Sequence, residues 1–210
     1  MKRELEYVWY AAYGSNINKE RFYCYIEGGR PNGTNKDYVG CSNKTTPRDE
    51  GEIFIKSEIY FANKSGTWNN GGVAFLKNDF KDESKTLGRM YLIRKDQFID
   101  VVKQENGQHS IKIDFDYSIE TGGYTFLETP WYGKIIYLGN QHSYPIFTIT
   151  NAKDLDSNKP DKAYLKTIAI GLKQVFPQTN QELRDYFLNM DGVKENYTAD
   201  EILTLFSQNT

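Results

Sequence analysis

"YAAYGSNIN", residues Tyr10–Asn18, joins an apolar run to a polar turn and then to a helical pattern. Tyr7 to Tyr13 reads as a strand, aromatic and β-branched at first and then small. "INKERFYCYI" follows, with Ile17, Arg21, Phe22, Tyr25 and Ile26 at helical spacing and Gly28–Gly29 as its stop. The Gly14–Asn16 turn therefore sits at a helix N-terminus, where backbone N–H groups lack intrahelical partners and the dipole favours negative charge. Gly14 lets a ligand approach the backbone, and Ser15 and Asn16 add polar side chains. Such a turn can receive a carboxylate or a developing oxyanion. Gly-Ser-Asn is also ordinary turn and cap chemistry, so this segment alone leaves both readings open.

The pattern further along is that of an α+β protein. From about Tyr38 to Leu92 the texture is β, with "EIFIKSEIYFA", "GGVAFL" and "LGRMYLI" as the clearest strands and "GTWNNGG" as a turn. "KDQFIDVVKQEN" is helical, with Asp96 placed to cap it and Phe98, Val101 and Val102 as its apolar stripe. "GKIIYLG" and "SYPIFTIT" read as two more strands. "DSNKPDKAYLKTIAIGLKQVF" is a long helix, with Asn158 or Ser157 as its cap and Pro160 near its first turn. Two short helices end the chain: "TNQELRDYFLNM" and "TADEILTLF", the latter with Thr198 and Glu201 at capping-box spacing. The expected architecture is a small mixed β-barrel or curled sheet with packed helices over residues 1–176, and a C-terminal helical extension over 177–210 packed on it.

Composition narrows the function classes. With 210 residues and 39% hydrophobic content the chain can build one good core. Lys and Arg number 26 against 28 Asp and Glu, so there is neither the basic excess of a nucleic-acid binder nor a polybasic membrane patch. Cys24 and Cys41 form no C-x-x-C pair, and their spacing to His109 and His142 fits no zinc pattern, so no metal is expected and both read as ordinary thiols. Two cysteines in a chain of this size fit a reducing compartment. "MKRELEYVWY" lacks the apolar region of a signal peptide, and no stretch reaches membrane-spanning length. These features together lead us to expect a soluble, cytoplasmic protein.

Two further residues stand out. Phe98, Val101, Val102 and Glu105 follow i, i+3, i+4, i+7, which puts a carboxylate on the apolar stripe at the C-terminal end of its helix. Burial and the helix dipole both disfavour its charged form there, and both raise its pKa toward the range a general acid/base needs. The plainer alternative is that the last helical turn emerges into solvent. Tyr164 shares a face with Ile168, Gly171 and Leu172, as a core tyrosine with its hydroxyl at an edge would. His109 and His142 lie in polar, loop-like stretches and are given no role.

"YAAYGSN", then "GGVAFL", then "QE" at a helix end, then "AYLKTIAIGL" together resemble the gamma-glutamylcyclotransferase family. Tyr13-Gly14-Ser15-Asn16 matches that family's Y-G-S-N segment after its first strand. Gln104-Glu105, after "LGRMYLI", matches its Q-E pair with a catalytic glutamate, and Tyr164 in "YLKTI" matches a tyrosine bordering the substrate. The resemblance covers roughly residues 7–30, 60–106 and 160–175. It implies cleavage of a γ-glutamyl amide by attack of the substrate's own α-amine, releasing 5-oxoproline and an amine or amino acid. It implies Glu105 as the base and Tyr10, Ala11, Ala12, Tyr13, Gly14, Ser15 and Asn16 as one wall of a small-molecule site. Tyr164 would form another wall, and no cofactor is implied. Hydrolysis of a related amide on the same fold and a non-catalytic binding module are the alternatives. Residues 31–58 and the tail after Pro177 depart from the smallest family members; reshaping the pocket or building an oligomer contact such as a homodimer are the roles open to them.

Overall fold

A strand buried on both faces reads as a continuous apolar run, and "YVWYAA" does so. In the computed structural model, which describes residues 6–32, 34–107 and 110–207, this is β1 (Tyr7–Ala12), and every residue from Val8 onward is buried. The chain then runs through α1 (Lys19–Glu27), β2 (Asp49–Ile55), β3 (Ser57–Ser65), β4 (Gly71–Phe80), β5 (Thr86–Arg94) and α2 (Lys95–Asn106). It continues with α3 (Phe115–Thr121), β6 (Gly123–Thr125), β7 (Lys134–Gln141), β8 (Tyr144–Thr150), α4 (Lys162–Val175), α5 (Asn180–Leu188) and α6 (Ala199–Ser207).

Six strands form one mixed sheet in the order β2-β5-β1-β8-β7-β6, and β3–β4 forms a separate hairpin. The sheet curls but does not close, since β2 and β6 end it as edges; of the two forms expected, it is the curled sheet. β1 lies near its middle, antiparallel to β5 with Tyr10 opposite Tyr91, and parallel to β8 with Tyr10 opposite Phe147. Because β5 runs against β1, the helix that follows it runs back in the direction of β1. Lys95 starts α2 near the beginning of β1, and the far end of α2 reaches the turn beyond Ala12.

The helix starts differ in detail from those expected. Ile17 belongs to a short 3₁₀ turn, Ser15–Ile17, that precedes α1. Asp96 lies inside the first turn of α2, and Gln97 Oε1 accepts from Arg94 N–H (3.0 Å) in its place. The cap of α4 is Asp161, whose Oδ1 accepts from Ala163 N–H (2.7 Å). Asn158 is instead drawn to the hairpin, donating to the Asn63 carbonyl at 2.7 Å. Helix α3 is an addition to the expected elements. The Thr198–Glu201 box does form, with Thr198 N–H donating to Glu201 Oε2 at 2.9 Å.

One hydrophobic core runs from β1 through Leu165, Ile168 and Leu172 of α4 to Leu183, Phe187, Val193 and Ile202 of the tail, all fully buried. The tail is also stitched to the hairpin: Lys77 pairs with Asp191 (2.9 Å), and Phe61 N–H donates to the Asp191 carbonyl (3.0 Å). Helix α4 lies directly on the opening turn. A Cβ at Gly171 would stand 2.4 Å from Asn18 N, a clash with backbone that only glycine avoids. No described helix is long and apolar enough to cross a membrane.

Candidate active site

The opening turn is held by its carbonyls. Ile17 N–H donates to Gly14 O (3.0 Å) and Asn18 N–H to Ser15 O (3.1 Å), the tight bonding of a 3₁₀ turn. Tyr91 Oη donates to Asn16 O and Arg89 Nη1 to Ile17 O, each at 2.9 Å. These ties fix the carbonyls. No backbone carbonyl among the described residues lies in reach of the Ser15 or Asn16 N–H, and the Ser15 N–H faces the Tyr164 hydroxyl. Gly14 is packed tightly: an added Cβ would meet the Tyr164 hydroxyl at 3.0 Å.

Glu105 reaches the same place from α2. Phe98, Val101 and Val102 are fully buried beneath the helix, and Glu105 ends their stripe half-buried, with its carboxyl at a cavity of about 360 Å³. Asn16 Nδ2 donates to Glu105 Oε1 at 2.8 Å and lies 3.4 Å from Tyr10 Oη. Burial pushes the Glu105 carboxyl above its ordinary value; the Arg21 charge, Lys36 at the rim, the Tyr25 hydroxyl and the Asn16 amide pull against that rise. The raised pKa expected from the stripe position is thus present, with burial as its largest cause.

Tyr164 closes the opposite side. Its ring packs 4.9 Å from Trp68, and its hydroxyl accepts from Ala74 N–H at 3.1 Å, which leaves the hydroxyl proton free to donate. Burial first, and the nearby Glu105 charge, push this hydroxyl up to about 12, so it stays protonated at neutral pH.

The cavity therefore brings together Tyr10, Tyr13, Gly14, Ser15, Asn16, Glu105 and Tyr164. Ala11 and Ala12 are a correction, because they do not line it. They are strand residues packed between neighbouring strands, and the Ala11 carbonyl accepts from Thr148 Oγ1 (2.8 Å). Ser15 Oγ accepts from Arg21 Nε (2.9 Å), which gives the serine a holding role. His142 sits exposed in the β7–β8 turn, and His109 lies outside the described residues.

Arg21, Trp68, Trp131 and Tyr132 are among the wall residues that the sequence does not mark. Arg21 reads in the sequence as one more residue on the α1 face. It is 4% exposed, and its guanidinium stands over Trp68 at 4.9 Å and over Tyr38 at 5.4 Å. Trp68 comes from the 3₁₀ turn at the hairpin tip, Gly66–Trp68, which the sequence shows only as a turn. Trp131 and Tyr132 arrive through Asn106: its Nδ2 donates to Tyr132 O (3.0 Å), and its Oδ1 accepts from Tyr132 N–H (3.1 Å). Among the described residues, three buried polar atoms on side chains that line the cavity have no partner: Asn16 Oδ1, Arg21 Nη1 and Gln104 Oε1. Buried polar groups are rarely left so, and two acceptors and a charged donor beside the Glu105 carboxylate suit a polar, charged ligand.

Two solved structures cover the whole arrangement. One is described as a gamma-glutamyl cyclotransferase, at TM-score 0.52 and 14% identity over 95% of this chain and 99% of that one. The other is an uncharacterised protein from Homo sapiens, at TM-score 0.52 and 15% identity over the same shares. The fold is gamma-glutamylcyclotransferase-like. Within that fold, Glu105 and the Gly14–Asn16 turn occupy one cavity. No model of a known protein family matches the sequence. A curated relative, histone deacetylase 5 of Arabidopsis thaliana, is 32% identical in a match of 201 aligned positions that covers 85% of this chain. The chain spans only 30% of that relative's length.

Proposed function

We propose that the chain is a γ-glutamylcyclotransferase: it cleaves a γ-glutamyl amide by intramolecular attack and releases 5-oxoproline and an amine or amino acid. The observation that carries this reading is the Asn16–Glu105 contact at 2.8 Å inside the cavity, which joins a carboxylate of raised pKa to an anion-receiving turn. Glu105 takes a proton from the substrate's α-ammonium, and Asn16 Oδ1 accepts a hydrogen bond from the same group. The freed amine attacks the γ-carbonyl carbon, and the five-membered ring closes. The Ser15 and Asn16 N–H groups receive an anionic oxygen of the substrate. The bond to the leaving nitrogen then breaks, and both protons lost by the α-ammonium end on the departing amine, the first of them carried by Glu105.

Because nucleophile and electrophile belong to one molecule, the enzyme's main task is to hold the γ-glutamyl arm curled. Orientation of this kind can be worth about 7–11 kcal/mol at best. The aromatic walls formed by Tyr10, Tyr13, Tyr132 and Tyr164 suit that task, since rigid rings restrict the arm without adding charge. The test is incubation with a panel of γ-glutamyl amino acids and amines, read by mass spectrometry. Release of 5-oxoproline is the expected outcome. Free glutamate would indicate hydrolysis of the same bond, and binding without any product would indicate a non-catalytic module.

A further inference from the structure

Arg21 is a buried cation without a counterion among the described residues. No carboxylate among the described residues comes within 4.0 Å of it. Its Nε is spent on Ser15 Oγ at 2.9 Å and its Nη2 on Tyr38 Oη at 2.6 Å, while Nη1 is buried with no partner. Arg89, also buried, makes a useful contrast: its Nη1 is spent on Ile17 O and Gln174 Oε1, both at 2.9 Å, and it takes no part in the cavity. A buried guanidinium held by neutral groups on two nitrogens, with the third left over at a cavity wall, is costly for the empty protein. The aromatic faces of Trp68 and Tyr38 offset part of that cost but supply no acceptor for Nη1.

Glu105 faces the same cavity, and the two charges sense each other without touching. Two opposite charges that line one cavity without pairing suit a zwitterion. An α-amino-acid head group carries its carboxylate and ammonium on one carbon, so it completes both halves at once and leaves no buried charge unpaired.

We propose that Arg21 binds the α-carboxylate of the γ-glutamyl substrate, with Glu105 facing the α-ammonium. The proposal rests on the cyclotransferase reading for the identity of the ligand. It assigns the carboxylate to a side chain of α1, and it thereby leaves the Asn16 N–H, beside a Ser15 N–H that faces the Tyr164 hydroxyl, for the oxygen of the γ-carbonyl as charge develops there. It makes the α-carboxylate a requirement for recognition rather than an accessory.

The experiment compares ligands that differ only in this group. Calorimetry with the parent protein uses L-glutamate, 5-oxoproline and 2-pyrrolidinone, the last being the same lactam without its carboxylate. Turnover is compared for a γ-glutamyl anilide and a 4-aminobutanoyl anilide, which carries the same nucleophile and amide and closes to 2-pyrrolidinone. The parent is expected to prefer the carboxylate-bearing member of each pair by roughly 10²-fold, the scale of losing one charged partner in a dry site. Arg21→Met should fold, since it removes an uncompensated charge, and should erase most of that preference; Arg21→Lys should keep part of it. Equal treatment of the paired ligands by the parent, or an undiminished preference in Arg21→Met, overturns the proposal while leaving the cyclisation intact. Binding of L-glutamate with no turnover of either anilide supports the receptor and removes the cyclisation. A parent that neither binds nor turns over any of these compounds overturns both.

Discussion

Asn16 and Glu105 lie 89 positions apart in sequence and meet at 2.8 Å, amide to carboxylate. The contact joins the end of the first strand to the end of the second long helix. Everything the site is proposed to do depends on it.

Glu105→Gln should separate chemistry from folding. The substitution is nearly isosteric, and its carbonyl oxygen can still accept from Asn16, but it cannot take the α-ammonium proton. Activity is expected to fall by roughly 10²–10⁴, the range for losing a positioned general base. Binding of 5-oxoproline should weaken far less. Unchanged turnover of γ-glutamyl substrates would remove Glu105 from the mechanism.

The same variant carries a stability signature. Burial raises the folded pKa of Glu105 above the ordinary carboxylate value. The folded state then binds more protons than the unfolded chain between the unfolded and folded pKa values. This group's contribution is therefore complete below the unfolded pKa, about 4.3, and is lost as pH rises through the folded pKa. The parent should lose thermal stability relative to Glu105→Gln over that window, and the gap in Tm should then stay constant toward neutrality. Melting curves for both proteins from pH 4 to 8 check this; a gap of the opposite sign would contradict the buried setting of the carboxyl.

Asn16→Ala should act on the pH profile. The Asn16 amide favours the charged form of Glu105, so its loss raises the carboxyl pKa further. The acidic limb of kcat/KM is expected to move to higher pH, with a drop of about 10-fold or more at neutrality from lost orientation. An unmoved limb would mean that the amide does not tune the base.

Gly14→Ala and Tyr164→Phe should be non-additive. The alanine Cβ would press on the Tyr164 hydroxyl at 3.0 Å. Removing that hydroxyl relieves the clash but leaves Ala74 N–H without its acceptor. The double variant should be less impaired in stability than the sum of the singles, with a coupling of about 0.5–3 kcal/mol. Strict additivity in denaturant unfolding would show that the two do not touch.

What the sequence discloses is what periodicity and turn chemistry encode. The strand into Gly14 and the stripe through Phe98, Val101 and Val102 are local patterns, so spacing puts Glu105 in line with the stripe, while only the packing of the last turn decides between cavity and solvent. Arg21 is hidden by the same periodicity that reveals its helix: a buried arginine on an apolar face reads as an ordinary face residue until its missing counterion is seen. Trp68, Trp131 and Tyr132 reach the cavity through a hairpin tip and a loop tied back by Asn106, contacts with no sequence period. The cap of α4 is misread for a related reason. Asn158 has the chemistry of a cap, but the hairpin claims its side chain.

The return of α2 alongside β1 makes the helix a measuring rod for the chemistry. Its 12 residues span about 18 Å at 1.5 Å each, and the 6 residues of β1 span about 20 Å. The two paths start together and finish together, so the Glu105 carboxylate arrives beside the turn because the lengths agree. A single residue inserted in α2 ahead of Glu105 would advance it by about 1.5 Å and swing it about 100° around the helix axis, off the cavity and away from Asn16. The loop between α1 and β2 is constrained where Lys36 and Tyr38 reach the cavity, whereas the length of α2 is fixed by the strand it runs beside.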